Sequence, residues 1–264
     1  MARFAAQLRT AQSAHAAVNS LEAVARDQID QAFDAWDAGL YDARTVRYRL
    51  EQIVRQAYRS SVALAVAHVG RQTEDLVPNW RPTNRVFVTP YLTSLISDIR
   101  RNLREYKADG LTPEARRRAV LRMRHSAGVA VQRGYTDALI SGYGEMADMG
   151  LVLKKVWVAR PTACPECARL HGTEVGLTDE FPRGRLPVYI DLMGPPAHPH
   201  CQCQVVIFVV TLENAFDRVD LDEIPTPDRP QSMTAEAVRR MPSKIFTAFV
   251  TFVTSALDRL RRRR

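Results

Sequence analysis

Residues 157–172 read WVARPTACPECARLHG, and residues 195–208 read PPAHPHCQCQVVIF. Together they hold all four cysteines of the chain, Cys164, Cys167, Cys201 and Cys203, with His171, His198 and His200 among them. The two residues between Cys164 and Cys167 are the gap of a knuckle turn, which lets both thiolates face one point. Cys201 and Cys203 are two apart, so on a strand they point to the same side. His198 stands just before them. Zinc takes four nitrogen or sulfur donors in a tetrahedron. Four cysteines fill that shell, and so do three cysteines with His198. The candidate metal ligands are therefore Cys164, Cys167, Cys201, Cys203 and His198, and Zn2+ is the expected cofactor.

The flanks of the two cysteine pairs are β-like. LVLKKVWVAR, 151–160, is rich in β-branched and aromatic residues and reads as a strand, and 203–210 reads as a second. Between them, 181–199 holds five prolines and two glycines and reads as an irregular excursion. The expectation is a β-hairpin with a cysteine pair at the base of each arm.

The N-terminal part is helical in pattern. Val18, Leu21, Ala25, Ile29, Phe33 and Trp36 continue a stripe that starts at Phe4, Leu8 and Ala11, and Gly39 is a natural stop. Asp42 is placed to cap a second helix carrying Val46, Leu50, Ile53, Ala57 and Leu64. The two form an antiparallel hairpin, with His15 and His68 as core-edge residues rather than ligands. Pro78, Pro82 and Pro90 interrupt the pattern. A third helix follows through Leu95, Ile99, Leu103 and Tyr106 to Gly110. Thr112, Pro113 and Glu114 open a fourth, which runs out in the glycine-rich SGYGEMADMG. That helix carries Arg116, Arg117, Arg118, Arg122, Arg124 and Arg133, a cluster suited to phosphates, an acidic partner or a solvated face.

The reading is an α+β chain: a helical domain over 1–150, a zinc-knuckle β-hairpin domain over 151–211, a proline-containing linker over 212–242, and an amphipathic helix with a basic tail over 243–264. The last segment suits a partner helix, a membrane surface or its own chain. Arg261, Arg262, Arg263 and Arg264 are candidate nucleic-acid contacts.

The chain of 264 residues carries a net charge of +8, mostly from arginine. That balance suits nucleic acid, an acidic protein or an anionic membrane surface, and equally plain solubility. The first residues lack the apolar core of a signal peptide, and no run approaches the roughly 20 apolar residues of a membrane span. A cytosol-like, reducing compartment is expected, which favours metal or free thiols over disulfides. Zinc hydrolase or deaminase chemistry requires an open coordination position and a general base. Glu166, Glu174, His171 and His200 are available, but no H-x-E precedes Cys164, and no phosphate loop, G-x-S-x-G or H-E-x-x-H occurs. A nucleic-acid-binding zinc module is the other alternative, although no recognition helix follows the knuckle at finger spacing. The chain is read as a non-enzyme.

The two motifs together resemble the phage Mu F-like minor head proteins. That family shows an Arg-x-x-x-Cys-x-x-Cys-x-x-Leu-(His or Asp)-Gly motif after a strand, then Pro-Pro-x-His-Pro-x-Cys-x-Cys. The matching positions here are Trp157, Arg160, Cys164, Cys167, Leu170, His171 and Gly172, then Pro195, Pro196, His198, Pro199, Cys201 and Cys203. One departure is Pro161-Thr162 where many members carry an acidic residue. The resemblance covers about residues 150–210. It implies a low-copy structural protein of a tailed-phage virion, placed inside the capsid near the portal vertex and in the host cytoplasm during assembly. The role implied is head morphogenesis, DNA packaging or ejection. The implied partners are the portal protein and capsid or scaffold proteins. On the residues themselves, packaged DNA is added through the basic tail, and a membrane contact through the last helix.

Overall fold

The computed structural model describes residues 2–73, 90–160, 162–184, 192–198, 201 and 203–210, with side chains from 16 onward apart from 72, 90 and 91. The linker, the C-terminal helix, Arg261 to Arg264, Pro199, His200 and the interval around Pro78 and Pro82 lie outside the described residues.

The chain is mostly helical, with one small three-stranded antiparallel sheet. Four long helices come first: α1 (Ala2–Asp37), α2 (Ala43–Thr73), α3 (Pro90–Ala108) and α4 (Pro113–Ala147). Their ends follow the expected chemistry. Gly39 and Gly110 adopt φ of +71° and +73°, where a Cβ is disfavoured, and so close α1 and α3. Asp42 Oδ1 accepts from the Thr45 N–H at 2.7 Å and starts α2. Thr112 Oγ1 accepts from the Ala115 N–H at 3.2 Å, with Pro113 at the first helical position of α4.

Of the expected stripes, Val18, Ala25, Ile29, Phe33, Val46, Leu50 and Ala57 are buried and Leu21, Trp36, Ile53 and Leu64 partly so, while the side chains of Phe4, Leu8, Ala11 and His15 lie outside the described ones. Val18, Ala25, Ile29 and Phe33 of α1 meet Val46, Leu50, Val54 and Tyr58 of α2 and Met123, Ala127 and Ala130 of α4. α4 packs most extensively on α2. It does so closely because of glycine: a Cβ on Gly134 would overlap Ser61 Oγ and lie 2.9 Å from the Tyr58 carbonyl oxygen. As expected, α4 ends within SGYGEMADMG. The helix runs to Ala147, because Gly142 lies against Val69, where a Cβ would approach Cγ2 to 3.2 Å. Packing outweighs the helix-breaking tendency of these glycines. His68 is buried at the core, with Nδ1 hydrogen-bonded to the Tyr135 hydroxyl.

Five of the six α4 arginines are ion-paired, Arg133 with Asp137 of its own helix, and Arg117 is exposed with no ion pair among the described residues. Arg116 pairs with Asp34 and Asp37 of α1, Arg124 with Asp30, Arg122 with Glu105 of α3, and Arg118 with Asp109. These pairs are half-exposed, so each contributes only about 0–1 kcal/mol.

After α4 come β1 (Leu153–Val158), a short helix α5 (Pro165–Leu170), β2 (Glu174–Gly176) and β3 (Gln204–Val209). The sheet order is β2-β1-β3. β1 and β3 pair antiparallel from Leu153↔Val209 to Val158↔Gln204, as the two expected strands require. Neither β2 nor α5 was expected from the sequence. β2 extends the hairpin to three strands through Lys154↔Gly176 to Val156↔Glu174. Leu153, Trp157, Val205, Ile207 and Val209 join the same buried cluster as the helix cores. Arg160 Nη2 donates to Asn19 Oδ1 of α1 at 3.2 Å, tying the end of β1 to the first helix.

Candidate metal centre

Cys164 occupies the N-cap of α5, with φ −63° and ψ 159°, and its sulfur accepts from the Cys167 N–H at 3.4 Å. Pro165 sits at the first helical position, so the first turn of α5 turns the two sulfurs to one side. Cys201 and Cys203 were expected on a strand. They lie instead in the lead-in to β3, where the Cys201 N–H donates to the His198 carbonyl at 3.1 Å and closes a turn. That turn brings His198 into the same space.

The five residues converge. His198 Nε2 lies 3.2 Å from Cys164 Sγ and 3.0 Å from Cys167 Sγ, and Cys167 Sγ lies 3.9 Å from Cys201 Sγ. Two triads result, Cys164–Cys167–His198 and Cys167–Cys201–Cys203, and Cys167 belongs to both. Within each triad all donor atoms lie within 4.8 Å of one another, so the cluster could hold a metal ion. The four cysteines are unbridged; Cys167, Cys201 and Cys203 are buried, and Cys164 is partly so. A cavity of about 40 Å³ lies between the donors, bounded also by Arg160, Thr162 and Ala163. That is ample for one ion, since a single water needs only about 10–15 Å³ measured in this way.

Bare thiols at this spacing compete for negative charge. Hydrogen bonds from Cys167 and then Cys203 hold the Cys201 thiol far below its ordinary range. Hydrogen bonds to Cys201 and Cys203, with burial, push Cys167 up. A cation among the sulfurs removes that competition, because it favours every thiolate at once.

Two surrounding groups suit an anionic cluster. Cys167 and, more weakly, the buried Trp157 indole favour the Cys203 thiolate, while Cys201 and burial push that thiol up on balance. Arg160, half-buried at the cavity wall, is lowered by desolvation and raised by Glu22 and by Cys203. Sequence reasoning counted both as part of the motif but gave neither a role at the cluster. The indole and guanidinium types, seven and four residues before Cys164, carry no metal signal by themselves.

The spare polar residues of the motif lie elsewhere. His171 Nδ1 accepts the Ala159 N–H at 3.0 Å and serves the turn after α5. Glu166 pairs with Arg169, Glu174 Oε2 lies 3.5 Å from Lys154 Nζ, and neither carboxylate bounds the cavity.

Fold and site define a helical protein with a Cys/His cluster set against a small antiparallel sheet. No protein-family model, curated protein or solved structure gives a significant match to the chain. No helix among the described residues is long and apolar enough to cross a membrane.

Proposed function

We propose that the cluster is a structural zinc centre and that the chain is a minor capsid protein of a tailed phage, acting at the portal vertex in head morphogenesis, packaging or ejection. The observation that carries the zinc reading is the meeting of three or four thiolates and one imidazole from segments more than 30 residues apart. Soft sulfur donors with one nitrogen select zinc over magnesium or calcium, which take oxygen. In a tetrahedron with Zn–S near 2.3 Å and Zn–N near 2.0 Å, sulfurs stand about 3.8 Å apart and sulfur to nitrogen about 3.5 Å. The Cys167–Cys201 separation of 3.9 Å agrees, and His198 is a few tenths of an ångström closer to its sulfurs. A closed shell favours a structural over a catalytic role, since five donors leave no position that needs water.

The zinc knuckle would pin 151–211, whose described residues form short strands and one short helix, to a single shape. The capsid role rests on the resemblance of the two motifs to the Mu F-like minor head proteins, and the long helices of 1–150 supply surface for docking on the portal. Co-expression of the full chain with the portal protein of the same phage tests this. Co-purification as one assembly supports the reading. Separate elution of two well-folded proteins, with no chain in purified virions, contradicts it. Hydrolase or deaminase turnover abolished by Glu166→Ala or Glu174→Ala would favour the enzyme alternative.

A further inference from the structure

A second feature lies away from the cysteines. Where α1 turns into α2, a groove of about 360 Å³ opens against α3. Its floor is apolar, made of Trp36 and Leu103, and Trp36 is held edge-on to Tyr106 with ring centroids 5.2 Å apart. Its rim is cationic, made of Arg47, Arg100, Arg104 and Lys107. Arg100 is matched by Glu51 through bonds of 2.8 and 3.2 Å. Arg47, Arg104 and Lys107 are exposed and form no ion pair among the described residues.

The contrast with the rest of the bundle gives this rim its meaning. Arg116, Arg118, Arg122 and Arg124 of α4 each meet a carboxylate. A larger groove between α3 and α4, about 550 Å³, is also matched within itself: Arg101 pairs with Asp98 and Arg122 with Glu105. Around Trp36 the balance is different: one carboxylate, Glu51, bonded to Arg100 and close to Arg47, stands among four cations that surround an apolar floor.

We propose that this groove docks an acidic peptide segment of a partner protein, with one apolar side chain of the segment on Trp36 and Leu103 and its carboxylates against Arg47, Arg104 and Lys107. Charge complementarity selects the partner, and desolvation of the indole supplies the anchor. A nucleic-acid backbone fits less well. Its phosphates recur every 3.4 Å or so along a strand, and the Glu51 carboxylate oxygens, bonded to Arg100 and close to Arg47, already stand among these cations. A peptide can place its charges between those; an unbroken phosphate chain cannot. The inference goes beyond the capsid reading and does not depend on it or on the metal centre.

The test uses the full chain and a fluorescent synthetic peptide with one phenylalanine flanked by glutamates. A glutamine-for-glutamate peptide and a mixed-sequence DNA duplex serve as comparators. Saturable binding of the acidic peptide is expected at low salt, weakening as salt rises. The Arg47→Glu/Arg104→Glu variant should bind it at least about tenfold more weakly, and Lys107→Glu should lower affinity in the same direction. All three side chains are exposed, so the variants should melt with the parent protein. The proposal is overturned if the acidic and glutamine peptides bind equally. It is also overturned if well-folded charge-reversed protein binds the acidic peptide as before, or if the reversals abolish binding of DNA instead.

Discussion

Replacing Cys167 by serine strikes the zinc reading at its centre. Cys167 is fully buried, is shared by both donor triads, and lies 3.0 Å from His198 Nε2 and 3.9 Å from Cys201 Sγ. It is the one donor common to both triads, and its position is set by the first turn of α5. Structural zinc sites bind with about 10–16 kcal/mol near neutral pH. Shared evenly over four ligands, one thiolate carries about 2.5–4 kcal/mol, or about two to three powers of ten in affinity. Competition of the zinc-loaded protein against a chromophoric chelator should show a loss of that size for Cys167→Ser. The same replacement also leaves the 151–211 region less stable to heat, because binding free energy there is folding free energy. Parallel titrations of Cys203→Ser and His198→Asn identify the fourth ligand: the true ligand shows a loss comparable to Cys167, and the other residue a loss of about tenfold or less. Cys167→Ser protein that retains the parent affinity for zinc would refute the reasoning.

Two further outcomes follow from the same structure. Alanine at Gly134 and at Gly144 should act in opposite directions on one helix. At Gly134 the added methyl meets the Tyr58 backbone, and overpacking of about 1–3 kcal/mol outweighs the ~1 kcal/mol gain in helix propensity. At Gly144 it meets nothing within 4 Å, and the protein should gain about 0.5–1 kcal/mol. Thermal unfolding resolves the difference at about 2–4 °C per kcal/mol; a rise for both variants would mean that α2 and α4 are not this close. Metal retention should also depend on pH. Thiol ligands must lose protons to bind, so acid weakens the site and rising pH strengthens it. Apparent zinc affinity should fall by more than tenfold per unit as pH drops below the ordinary thiol range, and a flat profile would point away from thiolate ligation.

Much of the fold was legible in the residues. The stripe through Val18, Ala25, Ile29 and Phe33 and the caps at Asp42 and Thr112 rest on local chemistry, which periodicity and side-chain type report directly. The strands around Trp157 and Val206 were legible for the same reason. β2 was not, because Glu174–Gly176 is three residues long and is held as a strand only by its neighbour β1. α5 was hidden by the knuckle spacing: Cys164 caps a helix with a sulfur, a role that serine or threonine signals and cysteine does not. The packing of Gly142 on Val69 joins α4 to α2 across the whole of α3 in the chain, and no local pattern records it. At the site, the cysteine spacings named every donor of the cluster. They did not show that His198 reaches both Cys164 and Cys167, because that depends on a turn closed by backbone hydrogen bonding at Cys201. The pairing of the α4 arginines was equally out of reach, since their carboxylate partners on α1 and α3 lie up to 94 residues away.

The most direct measurement is the metal content of the full-length chain, purified under reducing conditions without added metal or chelator. Elemental analysis alongside native mass spectrometry should find one zinc per chain, with the thiols protected from alkylation until a chelator is added. A folded protein without zinc, which takes up none on reconstitution and whose four cysteines react freely, would contradict the account.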